Sequence, residues 1–451
     1  MKYITPIRIL LSAMVLVSLW LAGSGGLTPS WTPDTDGYLH PWTWDSLWGQ
    51  PRNPLLGFLL APFNDNYTLL PAIELGAFFS AIYYLYRRLV EFGTSELAAL
   101  ALTLPLVISN LVLRYGHEIH PEFPAVILLI FAIAEMIGFH DSGKRSLSRY
   151  ALFMLALGFS YILRPSLLPF IGLMPVLFLF LGFVQTRRWN VGTSMVILLL
   201  SAVPFLVVSS IRYQTVKDFN IVSFGGVTMS PIAGSIVSEE LIPRFAADHR
   251  ELARTILDKR EAMAQAGELS PMVIDYETGK RSFRRTARSY FDILASNADE
   301  IQHKIVKQTR QENRETWVQF NQRIMSFCID VVRNAPADYA MWIAGAARSA
   351  TGTAITQNIP LIVGIFGLVA VYCLRLLSPR MPPLIAGSSL DIPTIVLITA
   401  LFTFGSGILS LLVTYPGNRY VSTSAIFIPS LVFYILFQLL AAGYGDKVRR
   451  D

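Results

Sequence analysis

The run VGTSMVILLLSAVPFLVVSS at residues 191–210 contains no charged side chain. A hydrocarbon core about 30 Å thick is crossed by about 20 residues of helix, which rise 1.5 Å per residue. Further runs of similar length and apolarity alternate with short polar loops along the chain. Uninterrupted apolar runs of this length predict that the lipid bilayer is part of the fold.

The composition agrees with this prediction. The chain has 451 residues, of which 53% are hydrophobic and 15% charged, and its mean hydropathy is +0.47. A soluble globular chain carries roughly 25% charged residues. The formal charge of +6 comes mainly from short loops beside apolar runs, where basic residues set membrane orientation, so nucleic-acid binding is disfavoured. Cys328 and Cys373 fall in a polar and an apolar segment, which disfavours a disulfide.

We predict an all-α polytopic membrane protein, a bundle of about ten transmembrane helices. The predicted spans lie near residues 7–23, 71–88, 97–113, 122–139, 150–163, 167–186, 191–210, 358–377, 393–414 and 421–442. Arg164 and Pro165 separate the fifth span from the sixth, and the basic pairs around them favour two crossings over one re-entrant hairpin.

Basic residues in alternate short loops predict the orientation. The loops predicted to be cytoplasmic contain Lys2, Arg8, Arg87, Arg88, Lys144, Arg145, Arg149, Arg187, Arg188, Arg375, Arg380, Lys447, Arg449 and Arg450. Both termini are therefore predicted in the cytoplasm, with the protein in the inner membrane and its polar loops facing the periplasm. The run from Ile9 to Leu21 also fits a signal peptide, but the many later spans favour an uncleaved first helix.

Three regions follow from this topology. Residues 1–210 form an N-terminal membrane module with external loops at 24–70 and 114–121, and residues 356–451 form a C-terminal membrane module. Residues 211–355, between spans seven and eight, mix acidic and basic side chains with helical periodicity. We expect this segment to form a mostly helical external domain, because long segments cross the membrane largely regardless of charge.

Two external loops carry candidate catalytic residues. Asp34 and Asp36 follow the first span within TPDTDGY at 32–38, which alone also fits a solvated turn. The next loop, RYGHEIHPE at 114–122, is dense in ionisable groups. Capping and snorkelling at span ends by Arg114 and Glu122 would explain part of it. The sharper prediction is that the two loops face one another.

Such loops would supply the parts of a glycosyl-transfer site. A carboxylate accepts a proton from an acceptor hydroxyl, and Asp36, His117 and His120 offer ligands for a divalent metal such as Mg, Mn or Ca. The sequence does not decide whether the reaction needs the metal. Positive charge for the leaving phosphate is available near the membrane surface, although each of these arginines also fits a lipid-headgroup contact. The candidates are Arg52, Arg114, Arg164, Arg212 and Arg419.

These motifs resemble the GT-C superfamily of membrane glycosyltransferases, which includes protein O-mannosyltransferases, the aminoarabinose transferase of lipid A and arabinofuranosyltransferases. The resemblance rests on Asp34 and Asp36, on the loop from His117 to Glu122 and on the turn from Pro416 to Tyr420. It implies inverting transfer from a polyprenyl-phosphate sugar to an envelope glycan, lipid or protein. Asp34 or Asp36 would be the base, Glu118 a second-loop acid, and Arg419 with Tyr420 a phosphate or sugar contact.

Two alternatives remain beside this interpretation. The large domain lies between spans seven and eight, whereas many GT-C relatives have it at the C-terminus, which leaves the acceptor open. An O-antigen ligase or polymerase also has many spans and a large external loop, and would act mainly through that loop, where the candidates are Arg284, Arg285 and His303. A lipid or sugar transporter or flippase would place ionisable groups within the spans, where Glu74 and Glu135 are the main ones. The polar clusters lie instead at one predicted surface, which favours the enzyme.

Overall fold

The computed structural model describes residues 5–32, 34–38, 48–50, 52, 54–63, 66–140, 146–186, 189–269, 295–298, 300–377, 392–413 and 417–441. Over these residues the chain is helical and contains no strand, which confirms the all-α prediction. Several predicted positions lie outside the described residues: Lys2, Lys144, Arg145, Arg187, Arg188, Arg284, Arg285, Arg380, Pro416, Lys447, Arg449 and Arg450.

Eight α-helices of six residues or more are described before residue 217. They are α1 (Pro6–Ser24), α2 (Leu55–Leu60), α3 (Leu70–Glu91), α4 (Glu96–Val107), α5 (Glu122–Gly138), α6 (Leu147–Leu163), α7 (Phe170–Thr186) and α8 (Val191–Val216). Ser95 caps α4 by accepting a hydrogen bond from the Ala98 amide. After α4 the chain continues as a π-helical turn at Leu111–Tyr115, and 3₁₀ turns occupy Thr35–Gly37 and Pro165–Leu167.

Nine further α-helices of six residues or more are described from residue 225 onward. They are α9 (Gly225–Ile236), α10 (Ala247–Gln265), α11 (Lys307–Glu312), α12 (Trp317–Asn334), α13 (Pro336–Thr356), α14 (Ile359–Leu377), α15 (Ile392–Val413), α16 (Asn418–Ser424) and α17 (Ile428–Ala441). Thr316 and Gln319 form a reciprocal capping box at the start of α12, which satisfies two otherwise unpaired amides.

Five helical segments of the described chain are long and apolar enough to cross a membrane. They are Pro6–Ser24, Glu96–Tyr115, Pro165–Phe183, Val191–Val216 and Ile395–Leu412. Two bent pairs, α13 with α14 at 72° and α16 with α17 at 41°, raise the number to seven if each pair is one span. These helices support the prediction of a membrane protein. The count of ten spans and the orientation stay predictions.

The first hydrophobic core surrounds α5, which packs between α3 and α6. Where α6 crosses α8, Pro204 breaks the α8 hydrogen-bond ladder. The Tyr161 hydroxyl fills the break, since it donates to the Ser201 carbonyl and accepts from the Phe205 amide, both at 2.9 Å. Gly158 permits this crossing, because a Cβ there would lie 2.6 Å from Pro204 Cγ.

A second hydrophobic core lies entirely between Val227 and Ala346, within the predicted external domain. Helix α9 packs against α12 through Gly226, where a Cβ would lie 2.5 Å from the Asn321 carbonyl oxygen. Arg260 of α10 donates to the carbonyls of Gly234, Ser235 and Val237 at the end of α9, a favourable place for a cation. The domain boundaries at 211 and 355 stay predictions.

Candidate functional site

The two polar loops lie in direct contact. The Ser30 amide donates to the His117 carbonyl at 2.8 Å, and the Ile119 amide donates to the Ser30 carbonyl at 3.1 Å. The buried Thr35 hydroxyl donates to the Ile119 carbonyl at 3.2 Å. The two backbone bonds of Ser30 and the Thr35 side-chain bond therefore hold the segment that carries Asp34 and Asp36 against the loop at 116–121.

Seven charged or titratable side chains converge where the loops meet. We call this group the Arg419 cluster; it consists of Asp34, Arg52, Glu118, His120, Glu122, Arg164 and Arg419. Three arginines balance three carboxylates within it. Buried charges persist only when they are paired and hydrogen-bonded, so the contacts inside the cluster decide what it can do.

Asp34 bridges two arginines from opposite ends of the chain. Its Oδ1 lies 2.5 Å from Arg52 Nη2, and its Oδ2 lies 3.2 Å from Arg419 Nη2. The side chain remains 35% exposed, more than Glu118 or Glu122. Asp34 is therefore the carboxylate of the cluster that an incoming molecule reaches most easily.

Arg419, near the start of α16, joins the elements of the cluster. Its Nη1 donates to His120 Nε2 and lies 3.7 Å from Glu118 Oε2. Its Nε lies 3.2 Å from Glu122 Oε1. Because a guanidinium is planar and only donates hydrogen bonds, it holds several acceptors in a fixed geometry.

Glu122 is a member of the cluster to which the sequence assigned no site role. It is the first residue of α5, is 5% exposed, and its Oε1 lies 2.6 Å from Arg164 Nη1. Arg164 is equally buried at the break between α6 and α7, and its Nε donates to Ser166 Oγ at 2.9 Å. The signal in the sequence is a carboxylate at the start of an apolar span, which needs a partner if it is buried.

Aromatic rings cover the arginines. The Tyr420 ring centroid lies 5.0 Å from Arg164 Cζ and 5.4 Å from Arg419 Cζ. Arg52 Cζ lies 4.6 Å from the centroid of Phe224, and Arg52 Nη1 donates to the Tyr38 hydroxyl at 3.1 Å. These contacts are favourable cation–π geometries and hold the guanidiniums around Asp34 in place.

His120 is a neutral hydrogen-bond acceptor in this arrangement. Its Nε2 lies 2.5 Å from the Thr32 hydroxyl and also accepts from Arg419. Because Arg419 only donates, the ring proton is assigned to Nδ1, which lies 3.5 Å from Glu122 Oε2. Burial lowers the pKa of His120 to about 4, so the ring is uncharged at neutral pH.

Burial also moves the pKa of other groups in the two loops. Desolvation raises the pKa of Glu118, although the charge of Arg419 opposes the change. Desolvation likewise raises the pKa of Tyr38 and lowers the pKa of His117. Each shift favours the neutral form of its group, so the Glu118 carboxyl group holds a proton more readily than a carboxyl group in water does.

Besides Tyr420, whose ring packs on two of the arginines, four predicted site residues lie outside the cluster. Asp36 is exposed and accepts a hydrogen bond from Trp31, and Arg114 is exposed. Arg212 belongs to another buried network, with Asp218 Oδ2 at 3.1 Å and the Ser223 hydroxyl at 2.5 Å. His117 is joined to Ser30 through its backbone, and no side-chain contact of His117 with the cluster is found among the described residues.

The predicted metal ligands do not fit a divalent ion in this arrangement. Over the described ranges, no three His, Cys, Asp or Glu side chains form a group that could hold a metal. Of the predicted ligands, Asp36 faces Trp31 and the Nε2 lone pair of His120 is taken by Thr32 and Arg419. Guanidiniums occupy the positions around Asp34 where a cation would neutralise a phosphate.

Comparisons of this chain with protein-family models, curated proteins and solved structures find no match. The resemblance to GT-C glycosyltransferases therefore stays a prediction from the sequence motifs.

Proposed function

We propose that this chain is an inverting glycosyltransferase that moves a sugar from a polyprenyl-phosphate donor to a cell-envelope acceptor at the outer face of the cytoplasmic membrane. One observation carries the proposal. A partly exposed carboxylate, Asp34, lies between Arg52 and Arg419 beside helices that are apolar enough to span a membrane. A base and a phosphate-binding group are thus adjacent at a site that a lipid-linked substrate can reach.

Asp34 is the base in this proposal. It takes the proton of the acceptor hydroxyl as the acceptor oxygen forms a bond to the anomeric carbon. The bond between that carbon and the phosphate oxygen breaks, and its electron pair leaves with polyprenyl phosphate. Asp36 is the weaker candidate, because it is exposed and lies outside the Arg419 cluster.

The arginines stabilise the leaving phosphate. Arg52 and Arg419 bind the Asp34 carboxylate, and the same donors match phosphate oxygens, which guanidinium recognises with paired hydrogen bonds. Binding of the donor replaces these ion pairs with phosphate contacts and releases Asp34 for proton transfer. Arg164 remains tied to Glu122 and holds the inner side of the site.

Purified protein incubated with a panel of synthetic polyprenyl-phosphate sugars tests the proposal. The expected result is consumption of one donor, by transfer or slow hydrolysis, that is lost in Asp34→Asn. Arg419→Lys keeps the charge but loses the fork geometry and is expected to raise the KM for the donor. Arg114→Lys is the matched control, because Arg114 is exposed and outside the cluster. Consumption of no donor by the wild-type protein, with or without candidate acceptors, contradicts the proposal.

A transporter is the second candidate, favoured by one buried group. Glu135 of α5 is 1% exposed and accepts a hydrogen bond from the Tyr84 hydroxyl. Arg88 Nη2 and Arg149 Nε lie 3.7 and 3.8 Å from its carboxylate oxygens. Ionisable groups within helical spans often mark transport pathways. Movement of a fluorescent polyprenyl phosphate across proteoliposomes that is abolished by Glu135→Gln, without donor consumption, would support this candidate.

A further inference from the structure

The loop that carries Asp34 has a second functional surface, outside the Arg419 cluster. The Trp31 side chain is 52% exposed, and its Nε1 donates to Asp36 Oδ1 at 2.8 Å. The ring centroids of Trp31 and Tyr67 lie 5.5 Å apart, and those of Tyr67 and Phe63 lie 6.3 Å apart. The indole is therefore fixed at its N–H edge and braced by Tyr67, while half of its surface stays open beside an exposed carboxylate.

We infer that Trp31 and Asp36 bind a sugar ring of the acceptor, so that the acceptor is a carbohydrate. This inference rests on the proposed function. A pyranose presents a face of C–H groups and a rim of hydroxyls. The open face of an indole matches the C–H groups, and a carboxylate accepts hydrogen bonds from the hydroxyls. Trp31 and Asp36 supply both, held together by their own hydrogen bond.

The same pair fits a lipid headgroup poorly. A tryptophan at a membrane interface places its ring N–H in the wet layer to bond with water or headgroups. The Trp31 N–H is already donated to Asp36. A carboxylate at the ring edge also repels anionic lipid headgroups. The contacts of Trp31 thus favour a neutral, hydroxyl-rich ligand.

The position of the pair relative to Asp34 matches an acceptor. Asp36 is two residues from Asp34, and two residues span at most about 7 Å of chain. Thr32 points into the Arg419 cluster through its contact with His120. A sugar held by Trp31 and Asp36 therefore lies beside the proposed base.

Direct sugar binding tests the inference without any donor. The full chain, in a zwitterionic detergent that carries no sugar, is titrated with methyl glycosides of glucose, galactose, mannose and N-acetylglucosamine by saturation-transfer NMR. We expect binding of at least one glycoside, with affinity reduced roughly 3- to 10-fold in Trp31→Ala and largely retained in Trp31→Phe. Trp189→Ala is the matched control, because Trp189 is 57% exposed and stacks on Phe183 far along the chain.

Three results overturn the inference: no glycoside binds, Trp31→Ala binds as the wild type does, or Trp189→Ala loses affinity equally. The transfer assay then separates this inference from the proposed function. In it, Trp31→Ala is expected to raise the KM for the acceptor roughly 3- to 10-fold, whereas Asp34→Asn lowers kcat. Turnover with an unchanged acceptor KM in Trp31→Ala overturns the acceptor site alone. Absence of donor consumption by the wild type overturns the proposed reaction and leaves the sugar-binding result standing.

Discussion

Asp34 and Arg419 are 385 positions apart in the chain, and Asp34 Oδ2 lies 3.2 Å from Arg419 Nη2. The contact joins the loop after the first helix to α16, the short helix before the last one. It closes a cluster in which each buried charge has an opposite charge within reach. Removing one charged side chain therefore leaves its partners in the cluster without a neutralising charge.

Asp34 and Asp36 differ in their expected contribution to turnover. Asp34→Asn removes the proposed base and is expected to lower kcat about 100-fold or more, within the usual range for general-base catalysis. Asp36→Asn, which is the same chemical change two residues away, is expected to leave kcat within about 3-fold, a difference under 1 kcal/mol in the barrier. Turnover of a consumed donor by both purified variants is the measurement. Equal losses would contradict the assignment of Asp34.

Glu122 is expected to be essential to stability. Glu122→Gln keeps the shape of the side chain but leaves Arg164 and Arg419 without their buried counter-charge. Breaking a buried ion pair in this way costs about 3 to 5 kcal/mol. Thermal unfolding in detergent measures the loss. Glu312→Gln, which breaks the exposed pair with Lys259, is the control and should cost less than about 1 kcal/mol. Similar melting temperatures for the two variants would contradict a buried structural role for Glu122.

His120 gives the site a defined response to acid. An unfolded imidazole binds a proton near pH 6.5, whereas burial lowers the pKa of folded His120 to about 4. Between these values the unfolded chain holds the proton and the folded chain does not, so stability falls as pH falls. The loss from this residue approaches about 3 kcal/mol at pH 4. His120→Gln should remove this component, so wild type and variant are compared from pH 7.5 to 4. Parallel curves would contradict the assignment of a neutral, buried His120.

The Tyr161 hydroxyl is expected to stabilise the break in α8. Tyr161→Phe leaves the Ser201 carbonyl and the Phe205 amide without their shared partner, which costs about 1 to 3 kcal/mol. Tyr86→Phe is the matched control, since the buried Tyr86 hydroxyl has no hydrogen-bond partner among the described residues. It should be neutral or slightly stabilising. Equal changes in melting temperature for these two variants would argue against the bridging role of Tyr161.

Much of the fold and most members of the Arg419 cluster could be predicted from the sequence. Helices occupy most of each predicted apolar run, because long apolar runs leave few other ways to satisfy the backbone. By length and apolarity, five to seven of the described helical segments qualify as spans, so the count of ten stays a prediction. Asp34, Glu118, His120, Arg52, Arg164 and Arg419 were all predicted, and all belong to the cluster. Asp36, Arg114, His117 and Arg212 were predicted beside them but lie outside it. Spacing places a residue in a loop, whereas the direction of its side chain depends on the turn.

The sequence by itself determined the helical membrane character and the loops that hold the polar residues, since hydrophobic run length and charge act locally along the chain. Only the tertiary structure decided that Asp34 enters the cluster while Asp36 faces Trp31. It also decided that Glu122 is buried between Arg164 and Arg419. The partners of Asp34 and Glu122 come from segments far apart in the chain, because a charge that is removed from water must find an opposite charge. The local sequence pattern does not identify those partners.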